Sequence, residues 1–197
     1  DIIPRFSMNT SFADIEKKEN RKDLIISICV FLSGFSCFAQ LYYFQPLLPD
    51  LAKDFILSAS ESSFAISFST LGMVFGLFTT MFVADRIPRK KMIGTGLLSS
   101  SIFSVAASFS PTFLPLILLS AAKGFLLSGA TSVSMAYIAE EVSSRNKGKI
   151  MGLYIAGNAL GGMAGRVISS WIGALYTWRI ASVSIGLICA LFAILFL

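Results

Sequence analysis

Met81-Phe82-Val83-Ala84-Asp85-Arg86-Ile87-Pro88-Arg89-Lys90-Lys91-Met92-Ile93 is the stretch that decides how this chain folds. Its centre, Asp85–Lys91, packs one acid and four bases into seven residues, and long apolar runs close in on both sides. On a soluble protein such a turn could sit anywhere. Between two runs of membrane length it reads as a tight hairpin, held on the cytoplasmic side because Lys and Arg resist transfer across a bilayer.

The composition outside the hairpin supports that reading. Hydrophobic residues make up 55% of the 197, charged residues only 14%, and there are 18 phenylalanines. A water-soluble fold of this length has too little interior to hide so much apolar surface, so lipid must cover part of it. The net charge of +5 does not point to nucleic acid, because the bases lie in short segments beside apolar runs. Cys29, Cys37 and Cys189 fall inside apolar runs without metal-ligand spacing and read as small hydrophobes. The sequence has no histidine, which excludes Ser-His hydrolases and H-E-x-x-H metalloenzymes. No acid falls within an apolar span either. The chain is therefore expected to be no enzyme, and it implies no cofactor.

Residues 1–23 read as a polar cytoplasmic tail and 24–197 as one bundle. The chain opens on Asp1, and Met8 is a candidate natural start. The first apolar run is too long for a removable signal peptide, and no A-x-A site follows it. Six spans are predicted, near 24–44, 62–84, 92–109, 112–138, 149–171 and 178–197. Each is long enough for a hydrocarbon core of ~30 Å. The expected fold is thus all-α, a polytopic membrane bundle of six transmembrane helices.

Start signals fit several spans. Ser58 with Glu61 forms a capping box, Ser110-Pro111 supplies a cap and an N1 proline, and Thr177 can cap the last span. Tyr42, Tyr43, Trp171, Tyr176 and Trp178 gather at span ends, as interfacial aromatics do. Of the 16 Lys and Arg, 12 lie in the tail, the 85–91 loop and the 145–149 loop. Only Lys53 and Arg179 fall on the opposite side, which predicts that both termini are cytoplasmic.

Small residues recur every four positions in three spans. Gly157, Gly161, Gly165, Ser169 and Gly173 mark the fifth, Gly72, Gly76, Thr80 and Ala84 the second, and Ser120, Gly124, Ser128, Ser132 and Ala136 the fourth. Such stripes let another backbone approach closely, for static packing or for sliding. Two cations remain inside spans. Lys123 lies near the midplane of the fourth, where a charge costs roughly 2.5–3.5 kcal/mol to insert and invites a functional reading. Arg166 lies five residues before Trp171, within reach of snorkelling to the outer surface. Gln40, Tyr43 and Gln45 late in the first span and Asn158 in the fifth could line a cavity or bond across helices.

The 81–93 stretch resembles the signature loop between the second and third helices of major facilitator superfamily transporters, roughly G-x-L-A-D-R-x-G-R-K-x-x-I. Asp85, Arg86, Arg89 and Lys90 stand where that pattern wants them, while Met81, Val83 and Pro88 replace its glycine, leucine and inner glycine. Gly157-x-x-x-Gly161-Gly162-x-x-Gly165 resembles the fifth-helix motif G-x-x-x-G-P-x-x-G-G of proton-coupled drug exporters in that superfamily, with Gly162 for the proline and Arg166 for the last glycine. The fourth-helix motif R-x-x-x-G falls on Ser120 through Gly124. Its arginine, tied to proton coupling, is absent, and Lys123 stands nearby. The resemblance covers 24–197 and matches the first six of twelve helices.

It implies a secondary active transporter that moves a small solute across a bacterial inner membrane by alternating access, in the direction of proton-coupled efflux. Asp85, Arg86, Arg89 and Lys90, with Gly157, Gly161, Gly165 and Arg166, would serve the conformational change. Gln40, Tyr43, Ser120, Lys123 and Asn158 would face the solute. Partners would be the solute, protons, membrane lipids and a carboxy-terminal six-helix half, with no nucleic acid. Asp85 would face a helix of that second half and find only Arg86 or Arg89 within this chain. The alternatives are a six-span transporter or channel working as a homodimer, and an inactive truncated fragment.

Overall fold

Two prolines shape the first element. Helix α1 (Arg5–Tyr42) gives way to a 3-10 turn over Gln45–Leu47 and then to α2 (Leu48–Asp54). Pro46 and Pro49 remove N–H donors there, so the rod breaks at Tyr43-Phe44 instead of ending as a straight span. The structure, a computed structural model, describes residues 5–197, with side chains at Lys17 and from Glu19 onward. Asp1–Pro4 and the side chains of 5–16 and Lys18 lie outside the described residues, and with them the reading of Met8 as a start.

The Ser58/Glu61 capping box forms as expected, with the Glu61 N–H donating to Ser58 Oγ at 3.2 Å and the Ser58 N–H to Glu61 Oε2 at 2.8 Å. It starts the short α3 (Ala59–Ser62), which leads into α4 (Phe64–Val83). Then come α5 (Arg89–Ser108), α6 (Phe113–Glu141), α7 (Lys147–Leu175) and α8 (Trp178–Phe196). Thr177 caps α8 by accepting from the Ile180 N–H at 3.3 Å. The cap expected at Ser110 is corrected. Thr112 holds the N-cap position of α6 without a side-chain bond, and the Ser110 hydroxyl is buried without a partner.

Six long helices answer the six expected spans, and no strand occurs among the described residues. Four stretches are apolar enough to cross a membrane on composition alone: Glu19–Asp54, Ala59–Val83, Phe113–Glu141 and Trp178–Phe196. The other two long helices fall short because α5 starts on Arg89-Lys90-Lys91 and carries serines, and α7 starts on two lysines and carries glycines. Their lengths, 20 and 29 residues, still reach about 30 and 43 Å at 1.5 Å per residue.

The helices pair off. α1 lies along α7, α4 along α6, and α5 between α6 and α8, while α1 and α4 scarcely touch. The small-residue stripes are these contacts. A Cβ placed on Gly157 would lie 2.6 Å from Phe31 O, and one on Gly165 2.7 Å from Ala39 Cα. Gly161 meets the Phe35 backbone still more closely. Gly72 and Gly124 make equivalent contacts with Ala121 and Ser69 across the α4–α6 seam. Side chains larger than hydrogen cannot enter either seam, so both are close-packed. Large apolar side chains of α4 and α8, among them Phe75, Phe78, Phe82, Leu191 and Leu195, point outward as surfaces that lipid or protein must cover.

Candidate functional site

Gln40, Tyr43 and Lys123 are brought together in the interior. Lys123 is 1% exposed, and its Nζ lies 4.5 Å from the centre of the Tyr43 ring and 4.9 Å from that of Phe44. The break in the first rod, which ends the helix at Tyr42, supplies both rings. Cation–π attraction of a desolvated ammonium is worth about 2 kcal/mol. Ser120 lies one turn before Lys123 and is equally buried. Gln40 accepts from the Ser104 hydroxyl at 3.2 Å, and the Cys189 thiol donates to Ser36 O at 3.6 Å. Yet Ser36 Oγ, Gln40 Nε2, Tyr43 Oη, Ser120 Oγ and Lys123 Nζ have no hydrogen-bond partner among the described residues. Buried polar groups in folded proteins are seldom left so. All of these side chains are sealed from the bundle surface in this conformation.

Asn158 stands apart. It packs against Gly34 of α1, its Oδ1 is buried without a partner, and no contact joins it to the Lys123 group. Arg166 is placed differently again. α7 runs past Trp171 to Leu175, so the arginine lies nine residues from the helix end, deeper than its distance from Trp171 suggests. Its side chain is exposed, and the guanidinium lies 4.7 Å from the Tyr42 ring.

At the end of the bundle holding the 84–88 turn, Asp85 and Arg86 are exposed, and Asp85 makes no hydrogen bond or ion pair among the described residues. Of the expected local partners, Arg89 feels the Asp85 charge, but its direct bond goes elsewhere, with Arg89 Nε donating to Glu140 Oε2 at 2.6 Å. Lys90 is exposed beside it. Lys22 pairs with Glu141 at 2.8 Å, an exposed contact worth little by itself.

Asp23, just before the apolar run, was not singled out in the sequence. It is 4% exposed and accepts from the Ser143 hydroxyl at 2.5 Å, the Asn146 amide at 2.8 Å and the Ser143 N–H at 3.4 Å. It thereby fastens α1 to the α6–α7 loop. Burial alone would raise its carboxyl, but these hydrogen bonds, with the nearby Lys22 charge, outweigh burial and hold it below the ordinary 3.8. A depressed value means the stabilisation is present above the ordinary value and lost as pH falls through the depressed one. Asp23→Asn should cost about 1–3 kcal/mol at neutral pH. Its melting temperature should converge on that of the wild type as pH falls below 3.8. A gap that persists in acid would contradict the assignment.

The opposite end carries a second clasp, unannounced by any local sequence pattern. Arg179 donates to Ser108 O at 2.8 Å, to Ser110 O at 2.9 Å and to Asp54 Oδ2 at 3.1 Å, and Trp178 Nε1 donates to the same Asp54 oxygen at 2.9 Å. It ties α8 to α2 and to the end of α5. Positive-inside counting treats Arg179 only as a stray charge, and nothing in its local sequence marks three acceptors drawn from distant segments.

The sequence matches the Major Facilitator Superfamily over residues 27–197. It is 38% identical over 183 residues to an uncharacterized transporter of Buchnera aphidicola subsp. Schizaphis graminum, covering 93% of this chain and 44% of the relative. To the inner membrane transport protein YnfM of Escherichia coli it is 36% identical over 171 residues, covering 87% and 41%. The fold is similar to the proton:xylose symporter XylE bound to 6-bromo-6-deoxy-D-glucose, with a TM-score of 0.80, 16% identity and coverage of 90% and 45%. The chain spans less than half the length of each of these relatives.

Proposed function

The chain belongs to the Major Facilitator Superfamily, and from that premise we propose that it forms the amino-terminal six-helix half of a transporter moving a small solute across a bacterial inner membrane by alternating access. The observation that carries this reading is the face shared by α1 and α7. Arg166 is exposed there at membrane depth, and Asn158 is half-buried on the same helix. A guanidinium in contact with lipid tails is costly, so this face is one that water or a second helical unit should cover. The close-packed α1–α7 and α4–α6 pairs would then move as stiff blocks against that unit. Both termini would be cytoplasmic, consistent with the basic residues gathered at the end of the 84–88 turn.

In this reading the transport is outward and proton-driven, on the strength of the Gly157, Gly161 and Gly165 pattern in α7. Asp85, without a hydrogen bond or ion pair among the described residues, would engage the start of a helix in the second half, where a helix dipole favours an acid. The full-length protein in inverted membrane vesicles carrying a proton gradient provides the test. Candidate solutes should draw protons out of the vesicle lumen, as read by a pH-sensitive dye. Asp85→Asn should remove most of that signal while leaving expression near normal. No proton movement with any solute would refute coupling, and full activity in Asp85→Asn would refute gating by Asp85.

A further inference from the structure

Arg166 is the one intramembrane cation among the described residues that reaches the bundle surface, since Lys123 is sealed. Three observations define its surroundings. Its guanidinium takes part in no ion pair or side-chain hydrogen bond among the described residues. It lies over the part-exposed Tyr42 ring, which also covers Gly162 one turn earlier, where a Cβ would sit 3.3 Å from Tyr42 Cδ2. Tyr42 in turn meets the ring of Phe38, part-exposed as well, at 6.0 Å between centroids. The glycine leaves room for the tyrosine, and the tyrosine supports the arginine.

Depth argues against a side chain merely escaping to the interface. Nine residues separate Arg166 from the end of α7, about 14 Å at 1.5 Å per residue. Side chains on a helix lean towards its N-terminus, which here leads away from that nearer end. A guanidinium lying over a ring keeps its N–H edge free, and that edge matches a carboxylate with two parallel hydrogen bonds. Phe38 and Tyr42, their rings tilted 45° to each other, continue an angled apolar wall from it. We propose that Arg166, Tyr42 and Phe38 form the binding site for an organic anion, with the carboxylate on Arg166 and an apolar body against the angled wall of the two rings. The proposal rests on the transporter reading and names its substrate class.

The test uses purified full-length protein in detergent, with benzoate and its uncharged counterpart benzamide as probes and melting temperature as readout. Benzoate should stabilise the wild type at concentrations about tenfold lower than benzamide, the margin of one charge-assisted bidentate contact. Arg166→Gln should erase that preference, and Tyr42→Leu should weaken both probes. Should Arg166→Gln fail to fold, Arg166→Lys decides, because lysine keeps the charge but loses the fork and should lose several-fold in preference. Absence of a preference in the wild type, as when an acid of the second half already holds the guanidinium, would overturn the proposal, as would a preference unchanged in the variants. Phosphatidylglycerol provides a lipid arm. Stabilisation that depends on Arg166 with that lipid but not with benzoate would assign the cation to headgroups and overturn the site. Charge-selective binding of benzoate without any transport would leave the site standing and sink the transporter reading. Transport of other solutes with no Arg166-dependent binding would do the reverse.

Discussion

Gly161→Val should part α1 from α7 and cost about 3 kcal/mol or more, at the upper end for overpacked sites. The obstacle is backbone. A Cβ at this position runs into the Phe35 O, Cα and C atoms, and the flanking glycines have the same relation to Phe31 and Ala39. A side chain can rotate away from an intruder, but a helix backbone in a close-packed seam can only move as a whole. For a chain of this length the loss corresponds to roughly 6–12 °C in melting temperature. Gly152→Ala is the matched control, since nothing lies within 4 Å of its added methyl. It should gain about 0.5–1 kcal/mol by removing backbone freedom from the unfolded chain. Melting both variants in one detergent separates steric from intrinsic glycine effects. A Gly161→Val protein that melts with the wild type would show that the seam gives way, and would undermine stiff-block motion.

How far the sequence carried the fold follows from the physics that each feature used. Span length and apolar content act over twenty residues, so six spans could be placed, five of them within a few residues of their helices, while α1 starts at Arg5, well inside the stretch read as a polar tail. The stripes at Gly157, Gly161 and Gly165 were legible for the same reason. A period of four on a helix defines a face whatever the partner, although only the structure shows Phe31, Phe35 and Ala39 as that partner. The break at Tyr43-Phe44 was less visible. The first span was read to 44, and Pro46 and Pro49 then carry the rod on to Asp54 with a bend.

The candidate site was harder, because residue type and depth do not reveal on which side of a helix a group points. Lys123 and Arg166 are both cations within spans, and sequence gave the solute to the first and conformational change to the second. The structure buries Lys123 beneath the Tyr43-Phe44 turn and leaves Arg166 exposed on the α1–α7 face. Asn158, grouped with Lys123 in the sequence, packs at Gly34 instead. The clasps at Asp23 and Arg179 join segments more than 60 residues apart in sequence, and no local pattern announces such partners.

Lys123→Met should raise the melting temperature and, in the full-length protein, abolish transport or its dependence on pH. The stability half follows from opposing magnitudes. An ammonium withdrawn from water loses several kcal/mol of hydration, and replacing buried charge by a well-packed apolar group commonly gains about 1–4 kcal/mol. Against this stand two cation–π contacts, worth about 2 kcal/mol or more when desolvated, so the net gain is the smaller part of that range. Methionine has the length and flexibility to fill the space under Tyr43 and Phe44, so no cavity need be left. The functional half follows from the company Lys123 keeps. Ser36, Gln40, Tyr43 and Ser120 each present a polar atom without a hydrogen-bond partner among the described residues, and Lys123 Nζ is the fifth. A fold that retains such a group against its own stability is maintaining something other than packing. Transport should be measured across a pH series beside a melting curve of the same preparation. A methionine variant that is more stable and transports with an unchanged pH profile would reduce Lys123 to a tolerated defect of the core. A less stable variant would show that the two rings and the ammonium hold the break in the first rod together.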